Sequence, residues 1–187
     1  NTPTTCKLIG DVRGKSVLDL ACGEGYNTRI LARKGAKVTG IDHSQRLIRL
    51  ARMQERKEPL GIRYCLMNAS RLNGMPNASF DIVTCFMALH DIANYEAAVA
   101  EVARVLKHGG HFVFSIAHPC FEDMVVNGVR TNASEMYFDK VQHPLEWKMK
   151  RLTKPFKTVS FHRSLTDYTL VLAKNNLLIS RLVEPRP

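Results

Sequence analysis

Hydrophobic positions along this chain come in short runs separated by amphipathic stretches. Residues 16–21 (SVLDLA) form an apolar run too short for a helix, followed by a glycine-rich turn at 22–25 and by residues 26–34, where Ile30, Leu31 and Ala32 fall at helical spacing. The pattern predicts strand, turn, helix. A β-branched run at 37–41 ends in Asp42, and Ser44 then predicts the N-cap of a helix reaching about residue 57, stopped by Pro59. Residues 61–66 read as a third strand and 80–86 (FDIVTCF) as a fourth. Residues 95–106 read as a helix with Val99, Val102, Ala103 and Leu106 on one face, closed by the His108-Gly109-Gly110 signal. Residues 111–116 (HFVFSI) predict a fifth strand, 164–175 a helix and 177–183 a sixth strand.

Strands alternating with helices predict right-handed β-α-β units and an α/β fold: a doubly wound, mostly parallel, Rossmann-like sheet covered on both faces. The rhythm stops at about 119–160. That stretch holds Phe121, Tyr137, Phe138, Trp147, Lys148, Lys150, Arg151 and Lys154 without a clear period. An insertion of this length without secondary structure reads as a lid or binding segment.

The length of 187 residues suits a single domain over the whole chain. With 45% hydrophobic and 24% charged residues, the chain falls outside the collagen-like, disulfide-scaffold and disordered classes. Charge is the departure: 27 Lys and Arg against 17 Asp and Glu give +10, which raises the question of an anionic partner. Part of it lies on one helix, where Arg46, Arg49, Arg52 and Arg56 make a stripe read as a solvated face. Another part, residues 148–157, lies in the insertion and favours an acceptor with some negative charge. No apolar run approaches the roughly 18 residues of a membrane span, and no secretory leader pattern opens the chain, so the expected location is cytoplasmic with no membrane partner. Cys6, Cys22, Cys65, Cys85 and Cys120 form no C-x-x-C pair and read as reduced thiols. The chain opens on Asn1 without a methionine, and both ends read as incomplete.

In an open parallel sheet the ligand lies beyond the carboxyl ends of the strands, where strand order reverses. There the sequence runs Asp19-Leu20-Ala21-Cys22-Gly23-Glu24-Gly25. Small residues let backbone approach a ligand closely, and the next helix offers free N–H groups. A dinucleotide fingerprint requires a third small residue where this chain has Thr28, which weakens that reading. Asp19 is placed to help hold an ammonium group, directly or through water. Asp42, about 20 residues after the first glycine, is placed to accept hydrogen bonds from both hydroxyls of an adenosine ribose. Adenosine together with an amino group points to S-adenosylmethionine.

VLDLACGEG, GIDHS, MNASRL, FDIVTCFMALHDI and RVLKHGGHFVFSIAHPCF, in this order, resemble the motifs of class I S-adenosylmethionine-dependent methyltransferases, specifically the type 11 group. The resemblance covers about residues 15–120 and continues through FHRSLTDYTLVLAKNNLLISRLVEP, similar to that group's last helix and sixth strand. It implies that Ala21, Gly23 and Gly25 wrap the methionine part, with Asp19 near its amino group. By the same resemblance Asp42 takes the ribose, His43 flanks the adenine, and Phe86, Met87 and Ala88 pass beside the methionine and sulfonium. Asn68 and Ala69 stand where the family has Asp-Ala, so an amide carbonyl replaces a carboxylate on the adenine amino group. The family's sheet ends in an antiparallel seventh strand that nothing after Val183 supplies.

The implied reaction is in-line methyl transfer to a small or medium organic acceptor, with S-adenosylhomocysteine as product and no metal. His90 and His118, each following a strand at the carboxyl edge, are the candidate general bases. Two rivals stand beside this reading: an RNA (tRNA or rRNA) methyltransferase, because of the charge, and a protein that binds S-adenosylmethionine without turning it over. The position after the fourth strand reads Met87-Ala88-Leu89-His90, not the Asn/Asp-Pro-Pro-Tyr common in methyltransferases acting on exocyclic and amide nitrogen. Oligomeric state is not legible.

Overall fold

The computed structural model describes residues 2–121, 123–126, 129–132, 134–147 and 156–184. Five parallel strands make the central sheet: β1 (Ser16–Leu20), β2 (Lys37–Asp42), β3 (Arg63–Leu66), β4 (Phe80–Phe86) and β5 (Leu106–Ser115), in the order β3-β2-β1-β4-β5. Helices α1 (Thr2–Ile9), α2 (Tyr26–Arg33) and α3 (Gln45–Lys57) supply one covering layer; α4 (Tyr95–Val105) and α5 (Leu165–Lys174) supply the other. The alternation of strand side chains divides the core accordingly. Val17, Val38 and Ile82 pack with Ile9, Leu31, Ile48 and Ala51. Leu18, Leu20, Ile41, Val83 and Cys85 pack with Val99, Val102, Val171 and Leu172 on the opposite face.

Helix starts follow local chemistry. The Ser44 hydroxyl accepts from the Leu47 N–H at 3.4 Å, and Asn94 caps α4 by accepting from the Ala97 N–H at 3.1 Å. Ser164 and Asp167 form a reciprocal capping box at α5. Helix α1, which the sequence reading does not include, brings Ile9 into the core.

Three expectations are corrected. Helix α4 ends at Val105, and Leu106 already pairs with Phe80; the two glycines expected to close the helix lie inside β5, where the register shifts before His111 meets Ile82. Their conformational freedom serves an irregular strand, with Gly109 at φ +74°. Residues 119–160, expected to lack secondary structure, contain two antiparallel ribbons: β6 (Asp123–Val126) with β7 (Val129–Asn132), and β8 (Gln142–Trp147) with β9 (Phe156–Phe161). Lys148, Lys150, Arg151 and Lys154 lie outside the described residues. The expected sixth strand at 177–183 is not one: among the described residues no strand pairs with it, and Leu178 is 93% exposed. An apolar alternation becomes a strand only where a neighbour offers backbone partners.

All five cysteines are free thiols. Among the described residues, no helix is long and apolar enough to cross a membrane.

Candidate cofactor site

The sheet order reverses between β1 and β4, and the loops leaving their carboxyl ends meet there. The β1 loop is tightly wound: the Cys22 N–H donates to the Ile41 carbonyl at 2.8 Å, and the Gly25 N–H to the Cys22 carbonyl at 3.0 Å. Ala21, Gly23 and Gly25 all adopt positive φ, at 52°, 60° and 88°. Asp42 fastens this turn from the neighbouring strand. Its Oδ2 accepts from the Gly23 N–H at 2.9 Å and its Oδ1 from the Ser44 N–H at 2.8 Å. Each oxygen keeps a lone pair for a further donor, and the side chain stays at the edge of the turn with 7% of its surface open.

Asp19 lies at the carboxyl end of β1, as expected, but is closed off from solvent. It is 1% exposed and lies under the turn, where Thr28 Oγ1 donates to Oδ2 at 2.6 Å and Thr84 Oγ1 to Oδ1 at 2.9 Å. Burial pushes its carboxyl up to about 6; the two threonine hydrogen bonds oppose that rise, and the nearby Asp42 charge adds to it. Asp19 is therefore a buried carboxyl group beneath the turn.

The two glycines of the turn have different reasons to be glycine. A Cβ on Gly23 meets no atom within 4 Å, so the space above it is open for a ligand. A Cβ on Gly25 collides with the Tyr64 ring, and one on Gly40 stands 3.0 Å from both Cys22 Sγ and that ring. Tyr64 is thus wedged behind the turn, and its buried hydroxyl has no hydrogen-bond partner among the described residues. Tyr64→Phe should raise stability by about 1–2 kcal/mol by removing that group; a denaturation midpoint that stays or falls shows that the hydroxyl is satisfied.

On the adjacent strand, Met87 follows β4 at φ +49°, held by hydrogen bonds from its N–H to the Ser115 carbonyl at 3.0 Å and the Ser115 hydroxyl at 3.1 Å. Ala21 and Met87 are thus left-handed non-glycine residues at the carboxyl ends of adjacent strands, backbone strain of the kind that clusters at ligand sites. Phe86 and Ala88 flank Met87, half-buried. His43 is exposed beside Asp42, with Nδ1 3.9 Å from Oδ1. Asn68 is exposed and its Oδ1 accepts from the Ser70 N–H at 2.8 Å, leaving its amide group engaged locally, while Ala69 is buried behind it.

The two histidines differ. His118 is committed at both nitrogens: Nδ1 accepts from the Cys120 N–H at 3.1 Å and Nε2 lies 2.8 Å from Glu184 Oε1. His90 sits in a short turn, Leu89–Asp91, and is 3% exposed. Burial pulls its imidazole down to about 4, with the Arg163 cation and His143 adding to the effect, so it is neutral at pH 7. Arg163 was missed in the sequence. It holds that turn by donating to the carbonyls of Ile92 and Ala93 at 2.8 and 3.1 Å, with its guanidinium 4.1 Å from the Tyr95 ring centre.

A cavity of about 500 Å³ opens at the opposite edge, between the amino ends of the strands, lined by Ser16, Lys37, Arg63 and Phe80 among others, and none of the candidate site residues lines it. Among the described residues no three His, Cys, Asp or Glu side chains are grouped to hold a metal.

Comparison with known proteins shows what the chain is similar to. A family model described as a methyltransferase domain matches residues 18–114, more than half of the chain. The demethylmenaquinone methyltransferase of Tropheryma whipplei is 38% identical over 115 residues, which are 61% of this chain and 47% of that protein. The ubiquinone biosynthesis O-methyltransferase of Alkalilimnicola ehrlichii is 35% identical over 109 residues, 58% of this chain and 44% of that protein. A crystal structure of an S-adenosylmethionine-dependent methyltransferase from Mesorhizobium loti aligns with TM-score 0.78 at 28% identity, covering 96% of this chain and 81% of that one. The chain spans about half the length of the curated relatives it matches.

Proposed function

This chain belongs to the type 11 methyltransferase-domain family, and from that membership we propose that it transfers the methyl group of S-adenosylmethionine to a small or medium organic acceptor. The observation that carries the reading is the fastening of the Gly23 turn to Asp42, with open space above Gly23. That arrangement fits an adenosine ribose whose hydroxyls donate to Asp42, while Ala21, Gly23 and Gly25 bring backbone against the methionine part. His43, Asn68 and Ala69 border the adenine side; Phe86, Met87 and Ala88 border the sulfonium side.

The sulfonium supplies the activated methyl group, so the chain's own task is placement. It must hold a nucleophile about 3 Å from the methyl carbon, in line with the departing sulfur, and keep water away. The segment at 119–160 is the part of the chain available to cover the acceptor. His90, neutral at pH 7, is the better placed of the two histidines, since both His118 nitrogens are engaged.

The names of the curated relatives put quinone-type compounds first among acceptors to try. Neither is named for a nucleic-acid substrate, and Arg52 of the basic stripe is already engaged, donating from Nε and Nη2 to the Tyr64 carbonyl at 3.1 and 2.7 Å.

Asp42→Ala tests the reading. It removes a charged acceptor from the ribose and unfastens the turn, and should weaken S-adenosylhomocysteine binding by about 1–3 kcal/mol in calorimetry. Unchanged affinity in a folded variant places the cofactor elsewhere.

A further inference from the structure

The ribbon of β8 and β9 turns a polar face inward. His143 and Ser160 are directly opposed in its register, and His162 follows Ser160 by two residues, so all three share one face. Their exposures are 1%, 0% and 2%. A ribbon docked only for adhesion buries apolar side chains, because a buried hydroxyl or imidazole left without a hydrogen bond costs about 1–3 kcal/mol. Strand β9 packs on the Leu89–Asp91 turn, which brings this face to His90. Two atoms of the cluster have no hydrogen-bond partner among the described residues: Ser160 Oγ and His90 Nδ1. His143 links them, opposite Ser160 in the ribbon and close enough to His90 to act on its charge.

His90 Nε2 lies 3.7 Å from Asp91 Oδ1; in the tautomer with the proton on Nε2, Nδ1 carries the lone pair that a hydroxyl donor needs. Arg163, through its backbone contacts, fixes the turn in this orientation. The cluster begins three residues beyond Met87, at the edge of the sheet where the proposed methyl group is delivered.

We infer that His90 Nδ1 and Ser160 Oγ form the recognition site for a hydroxyl of the methyl acceptor, so that the atom methylated is oxygen. This rests on the methyltransferase reading above. The acceptor O–H donates to His90 Nδ1 while the Ser160 hydroxyl donates to the same oxygen or to an oxygen beside it. As the new O–C bond forms, the S–C bond breaks with its electron pair leaving on sulfur, and the hydroxyl proton passes to Nδ1. The cluster is closed over in this structure, so the acceptor reaches it when the ribbon parts from the turn.

The test uses the protein loaded with S-adenosylhomocysteine and three probes, catechol, hydroquinone and 4-hydroxybenzoate, each against its fully O-methylated ether. Binding is read by calorimetry and by the ¹⁵N resonances of the His90 imidazole. At least one hydroxyl compound should bind tenfold or more tightly than its ether, shift the Nδ1 resonance, and lose about tenfold in affinity in Ser160→Ala with S-adenosylhomocysteine binding unchanged. Ethers that bind as well as the hydroxyl compounds, an unmoved Nδ1 resonance, or a Ser160→Ala protein that keeps the preference overturns the inference. Failure of the unaltered protein to bind S-adenosylhomocysteine overturns the methyltransferase reading instead.

Discussion

Replacing Asp19 with Asn is expected to stabilise the protein at pH 8 and to leave it nearly unchanged at pH 4. Asp19 is 1% exposed, and burial lifts its carboxyl from 3.8 to about 6 in spite of two threonine hydroxyls that favour the charged form. Because the folded value lies above the unfolded one, the folded state holds the proton more tightly. The associated stability is fully present below about pH 4 and is lost as pH rises to about 6. A gap of about two units corresponds to about 3 kcal/mol at neutral pH. Asparagine has the same shape and no charge to desolvate; its carbonyl accepts from one threonine hydroxyl and its amide donates to the other. Urea melts at the two pH values check this. An equal margin at both, or a loss at pH 8, shows that the charged form is stabilised by the amino end of α2 beyond what burial costs.

The same substitution should cost function. A cationic ligand above the turn favours ionised Asp19, so S-adenosylmethionine binding near pH 6 should release part of a proton, seen as a buffer-dependent heat in calorimetry. Asp19→Asn should abolish that release and weaken binding by roughly ten- to hundredfold, about 1.4–2.8 kcal/mol. A buried charge that destabilises the fold while it favours the ligand is the trade expected at a site selected for binding.

Asp42, the glycine turn and the Ser44 cap were legible in the sequence because each depends on neighbours close in the chain or on a fixed strand-loop-helix spacing. The surroundings of Asp19 were not. Thr28 and Thr84 reach it from a helix and from a strand 65 residues away, and only the register that pairs Asp19 with Thr84 brings the second hydroxyl to its carboxylate. The ribbons at 119–160 escaped for a related reason: strand β9 turns Ser160 inward and leaves Val159 outside at 38% exposure, reversing the usual alternation. The apolar run at 177–183 misled in the opposite direction, since it has a strand's pattern and, among the described residues, no strand paired with it. Arg163 reads as one more surface cation until the fold places the Leu89–Ala93 carbonyls around it.

The two glycines of the turn offer the sharpest separation of folding from binding. Gly25→Ala forces a Cβ at φ +88° into Tyr64, within 2.8 Å of Cζ and 3.0 Å of Cε1. The left-handed backbone costs about 1–2 kcal/mol and displacement of a buried ring a further 1–3 kcal/mol, so the variant should lose about 3 kcal/mol of stability. Combining it with Tyr64→Leu should return the steric part and leave the backbone part, a coupling that a double-mutant cycle measures. Gly23→Ala, at φ +60° with nothing within 4 Å of its Cβ, bears only the backbone cost. It should melt within about 1–2 kcal/mol of the parent, yet its methyl group stands in the space assigned to the cofactor. Its S-adenosylhomocysteine affinity should fall by tenfold or more. Gly23→Ala binding as the parent does, once the small loss of stability is allowed for, removes the cofactor from above Gly23. A Gly25→Ala protein that is stable shows instead that Tyr64 moves aside.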